Sequence, residues 1–82
     1  MIKKDLRQAV ALLARGDWQG AHAIVQEDEE SRLSCWAHGI VHLMEGDVPN
    51  ARYWYRVAGR VLRPDFSIES EVAALSAELG QS

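Results

Sequence analysis

The segments Arg15-Gly16-Asp17-Trp18 and Glu45-Gly46-Asp47-Val48 repeat the same glycine-aspartate pair 30 positions apart. Glycine readily adopts the left-handed conformation that ends a helix, and an aspartate after it can accept hydrogen bonds from the first amides of the next helix. A small residue, Ala21 or Ala51, follows one turn into each new helix. The repetition therefore predicts two helix-turn-helix units in one chain.

Helical periodicity appears in five places, and no stretch alternates convincingly with period two, so we predict an all-α fold of five short antiparallel helices. The helices are expected from about Ile2 to Arg15, from Asp17 to about Glu27, from Ser31 to Gly46, from Asp47 to Arg63 and from Ile68 to Gly80. Proline disfavours the α region for the residue before it, so Arg63-Pro64 is expected to end the fourth helix. The inward stripe of that helix is predicted to comprise Ala51, Trp54, Tyr55, Ala58, Val61 and Leu62.

The composition indicates one small domain. The chain has 82 residues, 48% of them apolar and 26% charged, so we expect a single core and one domain over residues 1–82. A core of this size has a thin stability margin, and self-association into a homodimer or other homo-oligomer is therefore expected. Nine Lys and Arg against twelve Asp and Glu give a net charge of -3, which argues against nucleic acid as a partner.

The compartment is predicted from the cysteine count and the apolar runs. The single cysteine, Cys35, cannot form an internal disulfide and is typical of a reducing compartment. The apolar run after Lys4 is interrupted by Asp5 and Arg7, which the core of a secretory signal does not tolerate. No stretch approaches the roughly 20 apolar residues that span a membrane. We therefore expect a cytoplasmic protein that does not contact a membrane.

Residues 32–64 resemble the tetratricopeptide repeat, a helical hairpin with small residues at fixed positions. The upstream unit matches only through Gly16, Asp17 and Ala21, and it departs at Asp28, where the family prefers a small residue. The positions that match in the downstream unit are small, turn-forming or aromatic, namely Gly39, Gly46, Asp47, Ala51, Tyr55 and Ala58.

The resemblance implies two stacked hairpins closed by a C-terminal capping helix, and a function in binding. Tetratricopeptide-like folds present a surface to a protein partner and carry no chemistry of their own. The chain is also similar to a group of small uncharacterised bacterial proteins, a likeness that supplies no activity. It is carried by Gly16, Asp17, Trp18, Ala21, His22, Trp36, His38, His42, Glu45, Gly46, Asp47, Asn50, Ala51, Trp54 and Tyr55.

A stripe of arginines along the fourth helix is the predicted partner-binding surface. Arg52, Arg56 and Arg60 recur at helical spacing, and Tyr53 lies on their flank. Guanidinium groups can hold the carboxylates of a partner bidentately, so an acidic protein is expected. The run of acidic residues at 27–30 offers such a partner within the protein itself, which makes head-to-tail pairing of subunits conceivable.

A second hypothesis, from another class, is metal binding by a histidine cluster. His38, His42 and Glu45 share one face of the third helix because they are four and three residues apart. Imidazoles one turn apart can bind one zinc or iron ion, and His22 or Glu45 could add a ligand. The alternative is structural: we expect His38 and His42 to be buried against the fourth helix and hydrogen-bonded to tyrosine, indole or backbone groups.

Several kinds of chemistry lack their minimal sequence motifs. The chain has no glycine-rich phosphate loop, no pair of cysteines and no nucleophile elbow. We therefore predict a small interaction protein that is not an enzyme and needs no cofactor.

Overall fold

In a computed structural model, residues 6–81 are described, and they form five α-helices with no β-strand among them. The prediction of an all-α fold is confirmed. The expected helix start at Ile2 lies outside the described residues. None of the described helices is both long and apolar enough to cross a membrane. The helices are α1 (Leu6–Ala14), α2 (Trp18–Val25), α3 (Arg32–Glu45), α4 (Val48–Val57) and α5 (Ile68–Gln81).

The two glycine-aspartate pairs form the helix breaks that the sequence predicts. Gly16 and Gly46 have φ values of 82° and 89°, in the left-handed region that glycine adopts without strain. The amides of Asp17 and Asp47 each donate to the carbonyl five residues earlier, at 2.8 Å. Their Oδ1 atoms then accept the amide three residues later, at 3.0 and 3.3 Å, and so cap α2 and α4.

The fourth helix ends earlier than predicted, at Val57 instead of Arg63. Gly59 has a φ of 76°, and the amide of Arg60 donates to the carbonyl of Tyr55 at 2.9 Å. This is the same ending as at the two glycine-aspartate pairs, and it stops the helix before the proline can act. The prediction for Val61 is consequently wrong: it lies beyond the helix and is 86% exposed.

The third helix is the centre of the fold. It packs against α2, α4, α5 and α1, and every residue from Ser34 to Leu43 is buried. The sequence also allows an exposed edge of the third helix as an alternative partner-binding surface, and that expectation is wrong from Ser34 to Leu43. Because both broad faces of α3 are covered, Ser34, His38 and His42 lie inside the protein.

One carboxylate joins α5 to α3 and α4. Oε1 of Glu71 accepts hydrogen bonds from Nε1 of Trp36 at 3.1 Å and from the hydroxyl of Tyr55 at 2.6 Å. Burial and the hydrogen bond to Glu71 raise the pKa of Tyr55 well above its usual value, so Tyr55 remains a donor. Leu75, one turn further along α5, is fully buried.

The contact between α3 and α4 depends on a missing side chain at Gly39. A Cβ atom there would lie 2.7 Å from Cε1 of Tyr55 and 3.3 Å from the carbonyl oxygen of Ala51. Tyr55 is itself 1% exposed, so its ring has no room to move away.

We expect Gly39→Ala to lower the free energy of unfolding by at least about 2 kcal/mol, because overpacking outweighs the gain in helix propensity. Gly80→Ala is the matched control, since a Cβ at Gly80 meets nothing within 4 Å. Urea denaturation of both variants measures the difference. Equal stability of the two would show that the close approach at Gly39 does not matter.

Candidate functional site

Three imidazoles from two helices meet at the centre of the structure. His38 and His42 lie one turn apart on α3, and His22 faces them from α2. The ring centroid of His22 lies 4.9 Å from that of His38 and 5.6 Å from that of His42. The centroids of His38 and His42 are 5.1 Å apart. One nitrogen of each ring lies within 4.8 Å of the other two. Of the residues that the sequence proposed as metal ligands, the structure therefore brings together these three.

The fourth helix closes the cluster with an indole. Trp54 stacks on His38 with a centroid distance of 3.9 Å and an interplanar angle of 8°. His38 is 4% exposed, as expected of a buried histidine. The expected hydrogen bond is absent at one atom, because the described residues offer no partner to Nδ1 of His38. Trp54 stacks on the face of the ring and cannot pair with Nδ1, whose hydrogen-bonding direction lies in the ring plane, so this buried polar atom stays unsatisfied.

Burial has a direct effect on the charge of His38. The pKa of His38 is lowered to about 4, mainly by burial, with smaller contributions from like-charge repulsion by His22 and His42. His38 is therefore a neutral imidazole at pH 7. Neutral imidazole is the form that binds a metal ion.

His42 is oriented by a carboxylate. Its Nδ1 lies 2.8 Å from Oε1 of Glu45, one turn further along α3. A carboxylate can only accept, so Nδ1 donates and the proton is fixed on that nitrogen. Nε2 of His42 then keeps its lone pair. A histidine that donates to a carboxylate through one nitrogen and offers the other is the usual arrangement around bound metal ions.

Glu45 and Asp47 also approach His42, with ligand atoms within 4.8 Å of one another. Asp47 already accepts the amide of Asn50 as the cap of α4. Glu45 is engaged with Nδ1 of His42. We therefore assign Glu45 an orienting role and do not count either carboxylate among the direct ligands.

Unlike the buried histidines, the predicted partner-binding residues lie at the surface. Arg52, Tyr53 and Arg56 are exposed on α4, and Arg60 follows beyond the end of the helix. The guanidinium carbon of Arg60 lies 3.5 Å from the ring centroid of Trp36, which holds that side chain in a cation–π contact.

Two features of these sites were missed by sequence reasoning. Trp54 was assigned to the core, and its stacking on His38 depends on how α4 packs, which no local pattern encodes. The second feature is an exposed apolar row of Tyr53, Val57 and Val61, which are 53%, 44% and 86% exposed. Their spacing of four residues was readable, but the predicted long helix placed Val61 inside.

Cys35 is not part of either site. It is 1% exposed, and its Sγ donates to the carbonyl of Glu29 at 3.3 Å. Burial raises the pKa of its thiol, with a smaller contribution from Asp28 and Glu29. It is a protonated, buried side chain, as expected of a small apolar residue.

Comparison of the chain with protein-family models, with curated proteins and with solved structures finds no match. The geometry of the histidine cluster and of the α4 surface therefore carries the functional assignment.

Acidification should destabilise the metal-free protein through His38. The unfolded chain has the ordinary histidine pKa of 6.5, whereas the folded state holds that pKa at about 4. Below pH 6.5 the unfolded state binds more protons than the folded state. The free energy of unfolding is therefore highest above pH 6.5, where this histidine is neutral in both states, and it decreases as the pH falls toward 4. We expect about 2 kcal/mol to be lost between pH 7 and pH 5.

Urea denaturation of chelator-treated protein at the two pH values measures this loss. In His38→Phe, which keeps an aromatic ring against Trp54, the loss should be smaller by that amount. The same loss in both proteins would show that His38 is not the group responsible.

Proposed function

We propose that this protein binds one divalent transition-metal ion through His22, His38 and His42. The observation that supports the proposal is the approach of three ring nitrogens to within 4.8 Å of one another. In a tetrahedral zinc site with metal–nitrogen distances of about 2.0 Å, ligand nitrogens lie about 3.3 Å apart. Small ring rotations would therefore be enough to close the cluster on an ion.

The donor set limits the kind of metal. Three neutral imidazoles suit zinc, copper, nickel or cobalt, whereas magnesium and calcium prefer oxygen ligands. The unsatisfied Nδ1 of His38 and the orientation of His42 by Glu45 are what a ligand set of this kind requires. An ion held here would link α2 to α3 and would stabilise the folded state by mass action.

We propose metal binding without a reaction. Three protein ligands leave one coordination position for water or a small ligand. Within residues 6–81 the neighbouring carboxylates, Glu45 and Asp47, already pair with His42 and with the amide of Asn50. A cytoplasmic location remains part of the proposal, because the lone, buried Cys35 suits a reducing compartment.

Titration of untagged, chelator-treated protein with zinc chloride tests the proposal. We expect one equivalent to bind, with an affinity reduced at least about tenfold in His22→Ala. His22 is the ligand of choice because it is only half-buried at the edge of the cluster. Gln19→Ala, an exposed change on the same helix, is the matched control and should bind like the wild type.

Tryptophan fluorescence gives a second readout, because Trp54 stacks on a proposed ligand. Copper(II) should quench the emission of the wild type and of Gln19→Ala, and it should quench His22→Ala only at higher concentration. Wild-type protein that binds no more zinc or copper than His22→Ala would overturn the proposal.

A second candidate function is protein binding through the outer surface of α4 and the segment that follows it. We call this surface the arginine face and define it as Arg52, Tyr53, Arg56, Val57, Arg60 and Val61. Three arginines and three exposed apolar residues alternate there, and tyrosine and arginine are enriched at the centres of protein interfaces. The segment from Ala51 to Pro64 contains no acidic residue. This combination supports the tetratricopeptide-like interaction module that the sequence predicts.

Affinity capture tests this candidate. Proteins retained from a lysate by the wild type should be lost by Arg52→Glu/Arg56→Glu, while thermal stability stays unchanged because both side chains are exposed. Arg15→Glu, an exposed arginine of another segment, should retain them. If the double variant and the control capture the same proteins, the arginine face is not the binding surface.

A further inference from the structure

We propose that the arginine face binds the acidic loop Glu27–Glu30 of a second copy of this chain. The inference rests on the second candidate function above, because it names the partner of that same surface. The proposed partner is a second copy of the chain, and the contact between the two copies does not require a bound metal ion.

The arginine face is a built surface with unpaired charge. No carboxylate of residues 6–81 lies within ion-pair distance of Arg52, Arg56 or Arg60 in the described structure. The three arginines line one open groove of about 410 Å³ together with Tyr55 and Leu62. Arg60 is held in place by its contact with Trp36, so one of the three cations is already ordered before a partner arrives.

The apolar row gives this surface more than charge. Among the described residues, the exposed large apolar side chains are Tyr53, Val57 and Val61, and each directly follows one of the three arginines in the sequence. Ion pairs alone contribute little at an exposed surface, whereas burial of neighbouring apolar area adds affinity when two surfaces meet. Their concentration beside the arginines therefore indicates a contact surface and not a merely solvated helix face.

The acidic loop has the complementary charge and a fixed shape. Glu27, Glu29 and Glu30 are exposed, consecutive with Asp28 and without an intervening cation. Oδ1 of Asp28 accepts the amides of Glu30 and Ser31, each at 3.1 Å. The carbonyl of Glu29 accepts the thiol of Cys35 from α3. The backbone is thus anchored on both sides, and three carboxylates are displayed at the surface at little further cost in entropy.

Both patches belong to every molecule, so each copy is a donor and an acceptor of the same contact. The arginine face follows α3 in the chain, and the acidic loop precedes it. A contact between two different patches is heterologous, and it forms either a closed ring or a head-to-tail chain of subunits. Because the attraction is between exposed charges, we expect it to weaken as salt shortens the screening length.

Charge reversal tests the proposal with the full chain. Sedimentation of the wild type over a concentration series should show self-association in about 20 mM salt, and the dissociation constant should rise at least about tenfold in about 300 mM salt. Arg52→Glu/Arg56→Glu and Glu29→Arg/Glu30→Arg should each be monomeric. Arg15→Glu makes a single charge change elsewhere and should associate like the wild type.

The decisive arm is the mixture of the two reversed variants. One keeps the native acidic loop and the other keeps the native arginine face, and their two reversed patches are also complementary in charge. The mixture should therefore form heterodimers and longer alternating assemblies, although neither variant associates alone. The variant that carries all four substitutions should recover self-association, because both charges are reversed together.

Three outcomes would overturn the proposal: a monomeric wild type in low salt at the highest concentration, association that survives either reversal, or no heterodimer in the mixture. A monomeric wild type that still loses a captured protein on Arg52→Glu/Arg56→Glu would refute the second copy as partner while leaving the docking surface in place. Zinc binding by the reversed variants should equal that of the wild type, so failure here is separate from failure of the metal site.

Discussion

The burial of α3 on every side is the constraint on which the rest of the molecule depends. Because Ser34 to Leu43 have no exposed face, two histidines that a surface helix would present to water lie inside the protein. Gly39 lets α4 approach closely enough for Tyr55 to lie against the α3 backbone. The same approach brings Trp54 onto His38 and extends the Tyr55 hydroxyl to Glu71 on α5. One absent side chain therefore allows both the stacking of Trp54 on His38 and the hydrogen bond from Tyr55 to α5.

The buried imidazoles have an energetic cost that the fold tolerates. A polar nitrogen without a hydrogen-bond partner destabilises a core by roughly 1–3 kcal/mol, and Nδ1 of His38 is such an atom in the described structure. Three adjacent imidazoles also disfavour protonation of one another. An apolar residue at His38 would avoid both costs. An ion bound by the three imidazoles would offset these costs, so the unsatisfied Nδ1 of His38 supports the proposed metal site.

The sequence predicted the helix ends and caps that depend only on neighbouring residues. The left-handed glycines at 16 and 46 and the aspartate caps after them were readable, because a helix ending needs only a few neighbouring residues. The end of α4 was predicted too late in the chain, because the prediction used Pro64 as the terminator and did not consider Gly59. Gly59 ends the helix with the same left-handed backbone conformation as Gly16 and Gly46. The burial of His38 and His42 followed from the expectation that a middle helix is covered on both sides.

The sequence did not predict how closely the helices approach one another. The approach of His22 to His38, and the position of Trp54 over that ring, depend on how α2 and α4 pack against α3. Neither the spacing of histidines nor the tetratricopeptide-like pattern specifies a packing angle. The hydrogen bond expected for His38 is absent at Nδ1 for the same reason, since the packing of the described helices brings no polar group to that atom.

The path of α5 has a consequence for the outer side of α4. Helix α5 lies against α1 and α3, and within residues 6–81 the backbone of α4 closely approaches only that of α3. No other described helix covers the outer flank of α4, so a molecule that docks on it would displace no helix of the fold.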